Sequence, residues 1–438
     1  MNFRSDNEVG AHPAIIEAVG RAFTSGPAHS YGADDWTQRV ERRLRELFDK
    51  PDLVAFPVIT GTAANSLALA CCTPPWGAIY CHPTAHIASE ETNAPEFFTS
   101  GARLFRIDGA AGKVDPQKLA DALAQPVYGV VHFPQPAAVS ITQATECGTV
   151  YAPEEIAAIA TSTHRHGLKL HMDGARFANA LSFVGCSPAE LSWKAGVDVL
   201  SLGATKNGVL SAEAVVFFDA GLAREFAFRS KRGGHLLSKM RLLSAQLDAY
   251  LADGLWLDNA RHANAMARRL VAGLTPLKGT QLLYPVDANE IFVVLPAHMH
   301  DALQAAGAQY HPWPSDRPGE RAFRLVTAFD TDPTDVERFL SIARSAGVTH
   351  DRSAHPHRCP LGRLRGRVRR DRQGQAPASF LERSRSLADR PAHAVRRGDA
   401  AARAPAGGAQ ELARERPRRG SRAARPGAVR RAAVGRGA

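Results

Sequence analysis

The sequence predicts an α/β protein: a large domain built on a mostly parallel sheet with helices on both faces, then a smaller C-terminal α+β domain. Three observations carry that expectation. Short β-prone runs alternate with helical stretches through about 200 residues, the pattern of strand–helix–strand units. Two runs, 168–180 and 199–208, begin apolar and break into small residues just where a polar group appears, as buried parallel strands do when they end at a functional edge. Beyond residue 221 the pattern turns helical, and only later returns to strand and helix.

Pro13 opens a helix over 13–23, with Ile15, Ile16, Val19 and Phe23 on one side. The Gly- and Pro-containing loop 25–32 breaks it, and a charged amphipathic helix follows over 35–48. A strand at 53–59 leads into a helix at 63–72, and a strand at 78–81 leads through a loop to a helix near 94–98. Next come a strand at 103–107, a helix at 116–124 and strands at 128–132 and 139–142. A helix at 153–166 precedes the strand ending at Asp173, and strands at 197–202 and 214–218 close the large domain's pattern. The smaller domain reads as a long helix at 255–273, strands at 290–295 and 323–326, and helices at 299–306 and 335–346. The expected boundaries are an N-terminal segment 1–14, a large domain 15–250, a small domain 251–348 and a tail 349–438.

The net charge of +11 belongs to that tail. Residues 349–438 hold 23 Arg, no Lys and 7 acids, which leaves residues 1–348 with 31 basic and 36 acidic side chains. The body is thus mildly acidic, which argues against a nucleic-acid-binding protein. The tail, rich in Arg, Ala, Gly and Pro, lacks the apolar content to offset ordering, so disorder is expected. Arg without Lys fits GC-rich codons read in an unintended frame; a genuine basic extension is the other reading. The six cysteines show no CxxC and no zinc spacing, so reduced thiols and no metal are expected. The N-terminus has no apolar signal core and no run approaches the ~18 apolar residues of a membrane span, so a cytoplasmic protein without membrane attachment is expected.

The two strand ends define a chemistry. Asp173 ends one and Lys206 follows the other, in Gly203-Ala-Thr-Lys-Asn-Gly208. A carboxylate that keeps a pyridine nitrogen protonated and an amine that joins an aldehyde are what pyridoxal 5′-phosphate requires. Thr60-Gly-Thr-Ala-Ala-Asn65 lies where a strand passes into a helix, so small residues, free amides and the helix dipole suit its phosphate. Three strand ends then serve phosphate, ring nitrogen and aldehyde, where open α/β sheets bind ligands.

At this point a resemblance becomes specific. Arg4-Ser-Asp-Asn, Ser30-Tyr-Gly-Ala-Asp, the Thr60 motif, His86-Ile followed by Glu91, His171-Met-Asp-Gly-Ala-Arg-Phe-Ala-Asn-Ala and the Lys206 motif resemble the L-threonine aldolases. Their low-specificity and phenylserine aldolase branch is the most similar, through Pro75-Trp-Gly-Ala-Ile-Tyr-Cys-His-Pro, Ser140-Ile-Thr-Gln-Ala-Thr-Glu and Ala212-Glu-Ala-Val-Val. The likeness covers about residues 3–347 and stops where the tail begins. It implies fold type I dependence on pyridoxal phosphate and retro-aldol cleavage of L-β-hydroxy-α-amino acids (L-threonine, L-allo-threonine, L-phenylserine) to glycine and an aldehyde.

It also implies roles. Lys206 would hold the cofactor covalently, Asp173 would pair with its ring nitrogen, and Thr60, Gly61 and Thr62 would hold its phosphate. His86 would stack on the ring near the β-hydroxyl, with Glu91 orienting the site. Ser5, Arg176 and Arg324 would hold the substrate carboxylate, Arg176 also lying at the cofactor. Tyr31 would reach a neighbouring subunit's site, which implies a homodimer or homotetramer with sites at the interface. Two departures stand out: Gln143-Ala-Thr-Glu146 occupies a loop where many threonine aldolases carry a histidine, and Asn93 stands where glycine is usual. The first leaves His86 or a water to take the hydroxyl proton. The second bears on the backbone, since Gly reaches positive φ at lower cost than Asn. Another fold type I enzyme, a β-eliminating lyase or an aminotransferase, is the alternative.

Overall fold

The structure, a computed structural model, describes residues 1–314 and 321–353. The large domain runs in order through α1 (Pro13–Thr24), α2 (Asp35–Leu47), β1 (Val54–Val58), α3 (Gly61–Cys72), β2 (Gly77–Cys81), α4 (His86–Ser89), α5 (Ala94–Phe98) and β3 (Arg103–Arg106). It continues with α6 (Pro116–Leu123), β4 (Gln135–Thr142), α7 (Pro153–Arg165), β5 (Lys169–Gly174), α8 (Phe177–Val184), β6 (Val199–Leu202), β7 (Glu213–Phe217), α9 (Phe226–Arg232) and α10 (Arg241–Leu251). The smaller region holds α11 (Leu255–Leu274), β8 (Gln281–Leu282), β9 (Glu290–Val294), α12 (Ala297–Ala305), β10 (His311–Trp313), β11 (Ala322–Val326) and α13 (Pro333–Ser353). Of the expected tail 349–438, residues 349–353 continue α13 instead of starting a disordered stretch, and the remainder lies outside the described residues.

Seven strands form the main sheet in the order β1-β7-β6-β5-β4-β2-β3. All its pairings are parallel except the two made by β7, which runs against β1 and β6. The expected mostly parallel sheet is therefore present, with one reversed strand inside it. Side chains alternate across the strands. Val139, Ile141, Leu170, Met172, Leu200 and Leu202 join the core on one face, while Val199, Val215 and Phe217 pack on the other against Ala63, Ala64, Leu67 and Ala68 of α3. Local chemistry sets the helix starts. Asp34 accepts from Thr37 N at 2.9 Å to cap α2, and Glu155 reaches back to Ala152 N at 2.7 Å ahead of α7.

The small domain is a four-stranded antiparallel sheet, β10-β11-β9-β8, with its own core of Ile291, Val293, Leu325, Phe339 and Leu340. The N-terminal segment belongs to it: Phe3 N donates to Gln309 O, Val326 N donates to Phe3 O, and the Phe3 ring packs edge-on to Phe339. Helix α11 ties the two cores together, burying Trp256 and Ala260 in the large one and Leu270 and Leu274 in the small one.

One expected strand is absent. Residues 128–132 read as β-prone, yet they form turns, and Val131 is exposed. The Gln135 side chain organises this loop, donating through Nε2 to the carbonyls of Val127, Val130 and Phe133 and accepting from Gly129 N. Once those groups are satisfied by a side chain, the segment has no need of a sheet partner. Among the described residues no helix is long and apolar enough to cross a membrane.

Candidate active site

Six loops converge at one edge of the main sheet. Five leave the carboxyl ends of parallel strands: β1 delivers Thr60, β2 His86, β4 Glu146, β5 Asp173 and β6 Lys206. The sixth enters reversed β7, so Glu213 at its start lies at the same edge. The turns after β5 and β6 touch closely. A Cβ on Gly203 would lie 2.5 Å from the Ala175 carbonyl oxygen, and one on Gly174 would lie 2.8 Å from that of Ser201. Only glycine at these positions lets the Asp173 and Lys206 turns approach so nearly.

A cavity of about 260 Å³ opens there, and its walls include Thr60, Gly61, Thr62, His86, Asp173, Ser201, Lys206, Ser211 and Glu213. Thr60 caps α3, its Oγ1 accepting from Ala63 N at 3.1 Å, which leaves the first amides of the helix directed outward. A Cβ built on Gly61 would meet nothing within 4 Å, so the space beside this helix start is open. A smaller cavity of about 60 Å³ adjoins through shared residues and adds Asn65, Glu91, Thr142, Glu146 and Arg176.

A chain of polar contacts crosses the site. Asn65 Nδ2 donates one hydrogen to Asp173 Oδ2 at 2.8 Å and the other to Glu91 Oε1 at 2.9 Å. Glu91 Oε1 also accepts from His86 Nδ1 at 2.8 Å. The contact from the Glu91 carboxylate raises the imidazole's pKa, against the effect of its partial burial. It also fixes the proton on Nδ1 and leaves Nε2 on the far side of the ring. Beneath Asp173 on the same face, His171 is buried between Ser140 Oγ (2.9 Å) and Ser201 Oγ (3.0 Å), and burial pulls its pKa down to about 4. His171 is therefore neutral at physiological pH.

Two buried carboxyls carry raised pKa values. Glu213 accepts from Ala204 N at 2.6 Å, and burial pushes it up to about 7. Glu146 accepts through Oε1 from His86 N and Thr142 Oγ1, both at 2.8 Å; burial, then the Asp173 carboxylate, pushes it up to about 7. Arg176 is held by acids: Nε and Nη2 pair with the two Asp6 oxygens at 2.7 and 3.0 Å, and Nη1 lies 3.0 Å from Glu290. Asn289 completes this cluster by donating to Asp6 at 3.0 Å.

The structure thus brings Lys206, Asp173, Thr60, Gly61, Thr62, His86, Glu91 and Arg176 to the two cavities. Ser5, Tyr31 and Arg324 stand outside their walls. Arg324 lies on β11, reaches Arg4 O at 3.4 Å and has a buried Nε without a hydrogen-bond partner among the described residues. Tyr31 is half exposed, under Lys231 at 4.9 Å. Asn93 adopts φ 61°, the left-handed conformation that a glycine at this position would adopt freely. Sequence reasoning gave no role to Asp6, Asn65, Glu146, Glu213 or Glu290. The first four lie inside the recognised motifs, which was the available signal; Glu290 offered none.

A family model described as Beta-eliminating lyase matches residues 2–298. The low specificity L-threonine aldolase of Pseudomonas aeruginosa is 43% identical over 344 residues, covering 78% of this chain and 96% of that protein. That of a Pseudomonas species is 40% identical over 345 residues, covering 79% and 97%. A solved Leishmania major threonine aldolase superposes with a TM-score of 0.74 at 29% identity, over 78% of this chain and 98% of the other. Sphingomonas wittichii serine palmitoyltransferase, 16% identical with a TM-score of 0.61 over 80% and 88%, shares the fold.

Proposed function

Because this chain belongs to the beta-eliminating lyase family and matches low specificity L-threonine aldolases over nearly their whole length, we propose that it cleaves L-threonine, L-allo-threonine and L-phenylserine reversibly to glycine and an aldehyde. It is a pyridoxal-phosphate-dependent carbon–carbon lyase of fold type I. The observation that carries the reading is the meeting of an amine, Lys206, a carboxylate, Asp173, and the N-terminus of α3 at one cavity.

The residues present fit the cofactor. The start of α3 offers hydroxyls, outward amides and open space beside Gly61 for a phosphate. Asp173 is buried yet lines the cavity, as a partner for a protonated ring nitrogen must. Pyridoxal phosphate supplies an aldehyde that joins amines and a ring that accepts an electron pair. Lys206 would hold it covalently through its side-chain amine. Thr60, Gly61 and Thr62 bind the phosphate. His86, oriented by Glu91, stacks on the ring beside the β-hydroxyl. Arg176, Ser5 and Arg324 hold the substrate carboxylate and so decide which bond of the α-carbon is aligned for cleavage. Tyr31 completes the site of a second subunit in a cytoplasmic homodimer or homotetramer.

The test is incubation with the three amino acids while glycine and acetaldehyde or benzaldehyde are measured. An aminotransferase would instead give a keto acid and leave the cofactor in its amine form.

A further inference from the structure

We propose that Glu146 is the group that takes the proton from the substrate's β-hydroxyl as the carbon–carbon bond breaks, an assignment that rests on the aldolase reading above. Its Oε1 is engaged by His86 N and Thr142 Oγ1, which fixes the carboxyl in one orientation. Its Oε2 is buried and has no hydrogen-bond partner among the described residues. A buried carboxyl oxygen without a partner is costly in a folded protein unless a ligand or water meets it. Glu146 also shares the walls of the smaller cavity with His86, Glu91, Asp173, Arg176 and Lys206, which puts its carboxyl beside the residues that would hold the cofactor and substrate.

His86 is the less suited acceptor. Its Nδ1 contact with Glu91 favours the charged imidazolium, which has no lone pair to offer. Glu146 is matched to the task, because a base works best with a pKa near the operating pH and this carboxyl is pushed up to about 7. The charged and titratable groups around it are Asp173 on β5, His86 on α4, Glu91 on the following loop, Lys206 after β6, and Arg176 ahead of α8. Cys81 at the end of β2 and the Tyr151 phenol ahead of α7 lie near it as well. The carboxylate of Asp173 disfavours a second charge there, while the hydrogen bonds to Oε1 favour it.

In the step, the hydroxyl O–H bond breaks and its proton passes to Oε2. The oxygen's electron pair forms the aldehyde C=O, the Cα–Cβ bond breaks, and its pair stays with the α-carbon. That carbon takes up one proton to become glycine, so one proton moves from oxygen to carbon overall and none is consumed.

The experiment is the pH dependence of kcat for L-threonine cleavage by the holoenzyme, wild type against Glu146→Gln and Thr142→Val. Glutamine keeps an oxygen for His86 N and Thr142 and removes only the base. It should lower kcat by about 10²–10⁴-fold, abolish the limb that rises near neutrality, and change KM and cofactor affinity only a few-fold. Thr142→Val removes a hydrogen bond that favours the carboxylate, so that limb should move to higher pH. Glu146→Gln with near wild-type kcat and an intact limb would overturn the proposal, and so would an unmoved limb in Thr142→Val should Glu146→Gln not fold. A wild-type enzyme yielding no glycine and aldehyde would instead sink the aldolase reading, and the proposal with it.

Discussion

Arg176 meets Asp6 through two parallel contacts, Nε to Oδ2 at 2.7 Å and Nη2 to Oδ1 at 3.0 Å. A guanidinium has five N–H hydrogens. Asp6 takes two and Glu290 lies against Nη1 at 3.0 Å, so Nη1 and Nη2 each keep at least one hydrogen, as the proposed role at a substrate carboxylate requires. The acids therefore orient the arginine rather than consume it.

Asp6→Asn should both destabilise the protein and weaken substrate binding. Burial pushes the Asp6 carboxyl up, but Arg176 outweighs it and holds the pKa below 3.8, so its stabilising effect is present above that pH and lost as pH falls through the lowered value. Removing one partner of a buried pair costs about 3 kcal/mol. Urea unfolding at pH 7 should show that loss, and KM for L-threonine should rise roughly tenfold, about 1.4 kcal/mol, with kcat changed less. An unchanged KM would remove Arg176 from the carboxylate site.

Lys206→Ala should abolish covalent attachment of the cofactor. Borohydride treatment of the wild type should fix pyridoxal phosphate irreversibly to the peptide containing Lys206, as read by mass spectrometry. The variant should release all of it on denaturation. Label found on another lysine would overturn the assignment made from the turn after β6.

Glu213 gives a prediction about stability without the cofactor. Its folded pKa of about 7 lies above its ordinary 4.5, so the folded state binds this proton more tightly than the unfolded chain does. Its favourable contribution is full below pH 4.5 and is lost as pH rises to about 7. At 1.36 kcal/mol for each pKa unit the swing is about 3 kcal/mol. Between pH 5 and pH 8, the apo Glu213→Gln variant should gain on the wild type by about that amount. Glu146 and His171 titrate in both proteins, so the difference isolates Glu213. A gap that stays constant with pH would mean that Glu213 is ionised throughout.

The parts of the site that could be read from the sequence are those that end strands. Asp173 and Lys206 follow apolar runs that no surface loop would carry, and Thr60 sits at a strand–helix junction. The partners were hidden because pairing across the fold has no local signature. Asn65 looks like one more small residue in the helix Gly61–Cys72, and its role appears only when that helix lies across Asp173. Glu290 heads a strand of the other domain, and its closeness to Arg176 depends on how the small domain's sheet meets the large one. The error at 128–132 has the same origin, since Val130 and Val131 look β-prone while Gln135, further along, decides the conformation.

His86 and Glu146 are the two groups proposed to meet the β-hydroxyl, and one substitution separates their roles. His86 is half-buried, its side chain 40% exposed, while its partner Glu91 is fully buried. That pairing suits an imidazole held in place as a lid over the ring. His86→Asn removes the flat ring and the charge but leaves the backbone amide that donates to Glu146. Cofactor affinity, followed by the absorbance of bound pyridoxal phosphate during dialysis, should therefore fall clearly. At saturating cofactor, kcat should drop by less than in Glu146→Gln, and the limb near pH 7 should remain, because the carboxyl that sets it is still present. If His86 were the base, the outcome would reverse: kcat would fall about 10²–10⁴-fold, the limb would vanish, and cofactor affinity would change little. Glu91→Gln distinguishes the two by the direction in which the limb moves. Without the carboxylate, the imidazole's pKa should fall toward its ordinary 6.5. A limb set by His86 would then move to lower pH with it, whereas a limb set by Glu146 would not follow that fall.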